Sequence, residues 1–159
     1  MRMVYKVLAF VVAGLVVVQA AAIAFAIFGL FAWIEGGGTL DAASSGPESN
    51  VNFPGVVGFM IHGMFGMMLI PIVVLLLLIS SFFAKTPGAV KWALIVVVTT
   101  VVQIALGIFG HGTPALGILH GAVALVLFGA AVMAGMRANA PVAPAGPAVA
   151  ESSAPVATA

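Results

Sequence analysis

The chain contains no cysteine. Disulfides, iron–sulfur clusters and thiolate zinc sites are therefore excluded. Charge is almost as scarce. Asp, Glu, Lys and Arg make up 6% of the 159 residues, against 64% hydrophobic ones. So little charge cannot cover the surface of a soluble domain of this length. A mean hydropathy of +1.31 points to the same class, an integral membrane protein. The net charge of +1 is too small to suggest nucleic acid as a partner. No nucleophile–base–acid set and no Gly-rich phosphate loop is present, and no carboxylate falls inside a long apolar run.

What remains is four long apolar segments, at about 4–34, 54–84, 89–110 and 114–136. Each reaches the roughly 20 residues that a helix needs to cross the hydrocarbon core. They lack period-2 alternation, and backbone polar groups in lipid must be satisfied within the segment, so they are helices and not barrel strands. The expected fold is all-α, an up-down-up-down four-helix transmembrane bundle. Arg2, Lys6, Lys85, Lys91 and Arg137 then fall on one side of the membrane and Glu35, Asp41 and Glu48 on the other. The positive-inside rule puts both termini in the cytoplasm, and the expected location is the bacterial cytoplasmic membrane. Tyr5, Trp33 and Trp92 lie near helix ends as interfacial anchors. Residues 1–22 resemble a signal peptide, but the apolar run continues to Ile34, so a retained first helix is expected. Residues 35–53, rich in Gly and Ser, read as a flexible outer loop, and the Ala/Pro-rich segment 138–159 reads as a disordered cytoplasmic tail.

The four segments form an internal repeat. "VVVQAAAIAFA" (16–26) resembles "TVVQIALGIFG" (100–110), aligning Gln19 with Gln103. "MIHGMFGMMLI" (60–70) resembles "ILHGAVALVLF" (118–128), aligning His62 with His120, Gly63 with Gly121, and then Pro71 with Gly129. Each half is a hairpin with a Gln on its first helix and a His-Gly on its second.

Helix rise places His62 ~12 Å along its segment from Pro54, His120 ~9 Å from Pro114, and Gln103 ~10 Å below the outer end of the third helix. Gln19 joins that level if the first helix leaves the bilayer near Ala26. In a bundle of this topology the second and fourth helices are diagonal, roughly 12–14 Å apart by axis spacing. Two facing imidazoles would then leave a gap suited to one iron between them. Gly58, His62 and Gly66 share one face of the second helix; Gly117, His120 and Ala124 share one face of the fourth. Small residues beside each ligand make room for a flat macrocycle. The competing reading is interhelical glue, with His and Gln bonded directly and small residues serving only close packing. A proton or ion relay is disfavoured by the lack of intramembrane Asp, Glu, Lys or Arg.

The pattern of a repeated hairpin with His on the second and fourth helices resembles one half of haem A synthase, and also related four-helix membrane b-type cytochromes. It is similar as well to a family of small four-span bacterial membrane proteins, through "VYKVLA", "VVVQ", "HGMFG", "VVQIALG" and "LHG". The resemblance covers residues 4 to about 130. It implies His62 and His120 as axial ligands of one haem b, near the extracytoplasmic side. Where the synthase carries an acidic residue beside the histidine of its second helix, this chain has none, which points away from synthase chemistry.

The expectation is a b-type cytochrome-like electron carrier, not an enzyme, with Gln19 and Gln103 donating to the imidazoles or the macrocycle rim. A redox partner or a larger membrane complex follows as its partner. The alternative is a cofactor-free accessory or scaffold subunit. His111, in the tight outer loop, is a further candidate for contact with the haem edge. Met60, Met64, Met67 and Met68 include a candidate axial ligand, but are expected to fill gaps in apolar packing. Thr99, Thr100 and Ser80 are expected to bond to carbonyls of their own helices.

Overall fold

The structure, a computed structural model, describes residues 1–40, 51–110 and 112–139. His111, most of the acidic loop and the Ala/Pro-rich tail beyond Asn139 lie outside the described residues. Four helices run through the rest: α1 (Arg2–Glu35), α2 (Val56–Phe83), α3 (Ala89–Gly110) and α4 (Pro114–Arg137). All four are long and apolar enough to cross a membrane, and no strand occurs among the described residues. α1 packs against α2 and α4, and α3 packs against the same two helices, so α1/α3 and α2/α4 are the diagonals of the bundle.

Helix ends follow local chemistry. α1 stops at the Gly36–Gly38 run, where Gly36 N–H bonds to Ala32 O and Gly37 takes a φ of +96°. A glycine tolerates that left-handed conformation at no steric cost. Pro114 opens α4 at a position where a missing N–H costs nothing. Within α2, residues Phe65–Leu69 form a π-helical turn, closed by Ile70 N–H on Phe65 O. Pro71 supplies the reason. Its ring would clash with the carbonyl four residues earlier and it has no N–H to donate, so the helix widens just before it instead of holding a strained α turn.

The packed core is confined to one half of the bundle. It contains Tyr5, Val12 and Val16 of α1, Val74 and Leu77 of α2, Ala93 and Val96 of α3, and Leu127, Ala131 and Ala134 of α4. Alanines and valines at the contact faces let the helices approach closely, the device that drives association where lipid removes the hydrophobic difference. A Cβ added at Gly135 of α4 would come within 2.8 Å of the Phe10 ring of α1. Polar clamps reinforce this half. Tyr5 Oη donates to Ala89 O at 3.2 Å, Arg2 Nε donates to Ala138 O, and the Arg137 guanidinium sits 5.1 Å from the Trp92 ring centre. Ser80, Thr99 and Thr100 bond to carbonyls of their own helices, which satisfies their hydroxyl protons within the helix.

The other half is built differently. None of residues 59–69, 101–110 and 112–126 is buried. The buried side chains described there are Gln19, Ala22 and Ala26 of α1 and Phe53, just before α2.

This division predicts where truncation hurts. Leu77→Ala removes a side chain that is 0% exposed, and should cost about 2–5 kcal/mol of stability. Leu76→Ala, at 47% exposure on the lipid side, should lie near zero, because lipid tails replace its contacts. Unfolding of the two variants in detergent, against the parent chain, checks the contrast.

Candidate functional site

The less buried half holds the two intramembrane histidines. His62 stands six residues past the start of α2, and His120 six past the start of α4. At 1.5 Å per residue both lie ~9 Å from the start of their helices. Across the α2/α4 diagonal the rings approach to 6.1 Å between centroids, inclined at 60°.

Each ring is held by the neighbouring helix of its own hairpin. His62 Nδ1 lies 3.1 Å from the backbone carbonyl of Gln19 on α1. His120 Nδ1 lies 3.1 Å from the backbone carbonyl of Gln103 on α3. A carbonyl oxygen only accepts, so in both rings Nδ1 carries the proton and donates it. A helical carbonyl can do this because its second lone pair is free beside the i+4 bond. In a neutral imidazole, Nε2 is then left with its lone pair outward. The two hairpins therefore repeat one device, with the backbone of the Gln residue orienting the His ring.

The Gln side chains do not repeat. Gln19, only 8% exposed, points its amide at α2, where Nε2 donates to Ile61 O at a long 3.5 Å. The Gln103 amide instead donates from Nε2 to Nε2 of His120, at 3.1 Å. Its Oε1 is buried and has no partner among the described residues. The lone pair of His120 is thus capped, while Nε2 of His62 makes no hydrogen bond among the described residues.

The glycines separate into two groups. A Cβ at Gly58 would lie 2.3 Å from Ala22 O, so Gly58 sets the close approach of α1 and α2. A Cβ at Gly66 would meet Gln19 Oε1 at 3.4 Å. Gly63, Gly117 and Gly121 have nothing within 4 Å of such an atom and are exposed. The small residue against the His120 ring is Gly107 of α3, whose Cβ would come within 3.3 Å of His120 Cε1. Gly107 closes the "VVQIALG" stretch, yet the sequence assigns it no contact with either ring. Its signal is its place four residues after Gln103, on the same helical face. The four methionines of α2 are 56–63% exposed and turn outward, so they neither fill the core nor offer sulfur to the ring pair. His111 lies outside the described residues.

Among the described residues no group of three or more His, Cys, Asp or Glu could hold a metal ion. A bare zinc or similar ion needs three or four protein ligands. Two neutral imidazoles suit only a metal whose remaining positions are filled by something else.

The geometry predicts unequal roles for the two glutamines. Gln103→Leu deletes a bond to His120 and should cost about 1 kcal/mol of stability. Gln19→Leu keeps the backbone carbonyl that holds His62 and should leave its Nδ1 proton in place. Histidine-selective 15N NMR of the two variants reads both effects: His62 should remain the Nδ1–H tautomer in each. No protein-family model, curated protein or solved structure matches this chain.

Proposed function

We propose that the protein is a membrane-embedded b-type cytochrome-like electron carrier, with His62 and His120 as the axial ligands of one haem. The observation that carries this reading is the closeness of the two rings, 6.1 Å between centroids, with both Nδ1 protons committed to backbone carbonyls. Metal-ligating histidines characteristically donate their second ring nitrogen in this way, which fixes the tautomer and raises ligand basicity. Two metal–nitrogen bonds of about 2 Å plus the half-widths of two imidazoles come to about 6 Å. Rings that share an axis are free to rotate about it, so an inclination of 60° is compatible. The donor set fits the same group: two imidazoles leave four equatorial positions, which a porphyrin supplies. His62, Gln103 and His120 are each only partly buried, so the rings are not sealed inside a closed core.

When bound, haem supplies one-electron redox chemistry, and two protein ligands leave it no open position for a substrate. The protein's own part is to hold the two rings, keep Nε2 as the unprotonated nitrogen of each through the Gln19 and Gln103 carbonyls, and surround them with apolar residues.

The bundle runs up-down-up-down in this reading, with both termini in the cytoplasm and the histidines near the outer face of a bacterial cytoplasmic membrane. Supporting this, the start of α1 clamps to the end of α4 through Arg2 and Ala138, while Gly29 near the end of α1 lies against Pro54 before α2. All five cations then share one side. A redox protein or larger membrane complex would be the partner.

One observation favours a second reading, a cofactor-free accessory subunit. Gln103 and His120 already bond directly, as interhelical glue would.

A visible spectrum of the purified protein separates the two. The cytochrome reading expects a Soret band and sharp α and β bands on dithionite reduction. His62→Ala and His120→Ala should each abolish the low-spin spectrum. A colourless protein after expression with ample haem, which also takes up no added hemin, leaves the accessory reading.

A further inference from the structure

The two imidazoles are equivalent in their Nδ1 bonds and unequal at Nε2. That inequality rests on a single side chain, Gln103. Its amide donates into the lone pair that an iron would need, at 3.1 Å. Its other end, Oε1, is buried with no partner among the described residues. An amide arranged for polar glue would satisfy both ends, as buried polar groups generally do. Here one end is left unmade while the other occupies the ligand atom. Gln19, the matching residue of the first hairpin, leaves Nε2 of His62 alone and reaches back to a backbone carbonyl of α2.

We infer that Gln103 is a positioning residue that competes with haem iron for His120, making His62 the permanent axial ligand and His120 the exchangeable one. This deepens the haem reading above and rests on it. His120 released from iron keeps a hydrogen bond waiting for it; His62 released from iron gains none from Gln19. Displacement of His120 is therefore the easier of the two, and the iron position it vacates is open to a small neutral diatomic ligand such as carbon monoxide. With haem bound, carbon monoxide would replace His120 without change of oxidation state, and the freed Nε2 of His120 would accept the Gln103 N–H. The Gly107 surface beside His120 Cε1 carries no side chain to block the movement of the ring or the amide.

The test compares the parent chain with Gln103→Leu and Gln19→Leu. Hemin titration of the purified proteins, followed in the Soret region, should show Gln103→Leu binding roughly fivefold tighter, the factor a net hydrogen bond of ordinary strength provides. Carbon monoxide titration of the dithionite-reduced forms should show the reverse, with Gln103→Leu binding it weaker by about the same factor. Gln19→Leu removes no bond to an imidazole nitrogen and should not show this opposed pair of changes. A structural role alone would weaken hemin binding in Gln103→Leu and leave the carbon monoxide affinity of the loaded fraction unchanged. That result, or equal behaviour of the two Gln variants, overturns the inference while leaving a bis-histidine haem intact. A parent chain that never gives a low-spin spectrum overturns the haem reading itself. If Gln103→Leu does not fold, 15N NMR of the haem-free parent still decides. Nε2 of His120 should carry the upfield shift of a hydrogen-bond acceptor relative to Nε2 of His62, and coincident shifts overturn the inference.

Discussion

An imidazole N–H aimed at a helical backbone carbonyl is the contact from which the site follows. It occurs twice, at the same 3.1 Å, from His62 to Gln19 O and from His120 to Gln103 O. Within a membrane such a bond does three things together. It removes a polar donor from an environment that punishes unpaired ones. It joins the two helices of a hairpin. It also settles which ring nitrogen is left to act as a base or a ligand. Everything chemical about the bundle is then a matter of what meets those two remaining nitrogens.

The packing around the site serves that arrangement. The core of alanine, valine and leucine lies toward the chain termini, together with the clamps of Tyr5, Arg2 and Arg137. The histidine level contributes little to it. Separating the structural half from the chemical half lets the rings be held by hydrogen bonds and glycine contacts instead of by dense packing. Gly58 brings α1 against α2, and Gly107 brings α3 against His120, so each hairpin is tight within itself.

Much of this was legible in the sequence, for physical reasons. Four apolar runs long enough to span a bilayer, free of alternation, leave little freedom beyond four helices. In a chain so poor in polar residues, two Gln and two His recurring in one order stand out, and the structure brings them together pairwise. The manner of their contact was not legible. The sequence suggests Gln side chains as partners of the imidazoles, whereas the main partner is the Gln backbone, which any residue type would provide. Nor does the repeat announce that Gln103 and Gln19 turn their amides differently, since that depends on the local space beside Ile61 and His120. Spacing along one helix is an incomplete guide to glycine roles. Gly117 and Gly121 fit that pattern yet stand in open space, while Gly107 gains its position from the helix opposite.

The π turn at Phe65–Leu69 has no equivalent in α4, which is α-helical throughout. A π turn inserts one extra residue into the winding, and one residue corresponds to about 100° of rotation. The upper segment of α2 is consequently phased independently of the lower one: His62 can be aimed across the diagonal while Val74 and Leu77 keep their own bearing on the core. In α4 a single unbroken helix must serve both ends, so the azimuth of His120 is geared to that of Leu127 and Ala131. One histidine is phased apart from the core contacts of its helix and the other is keyed to them.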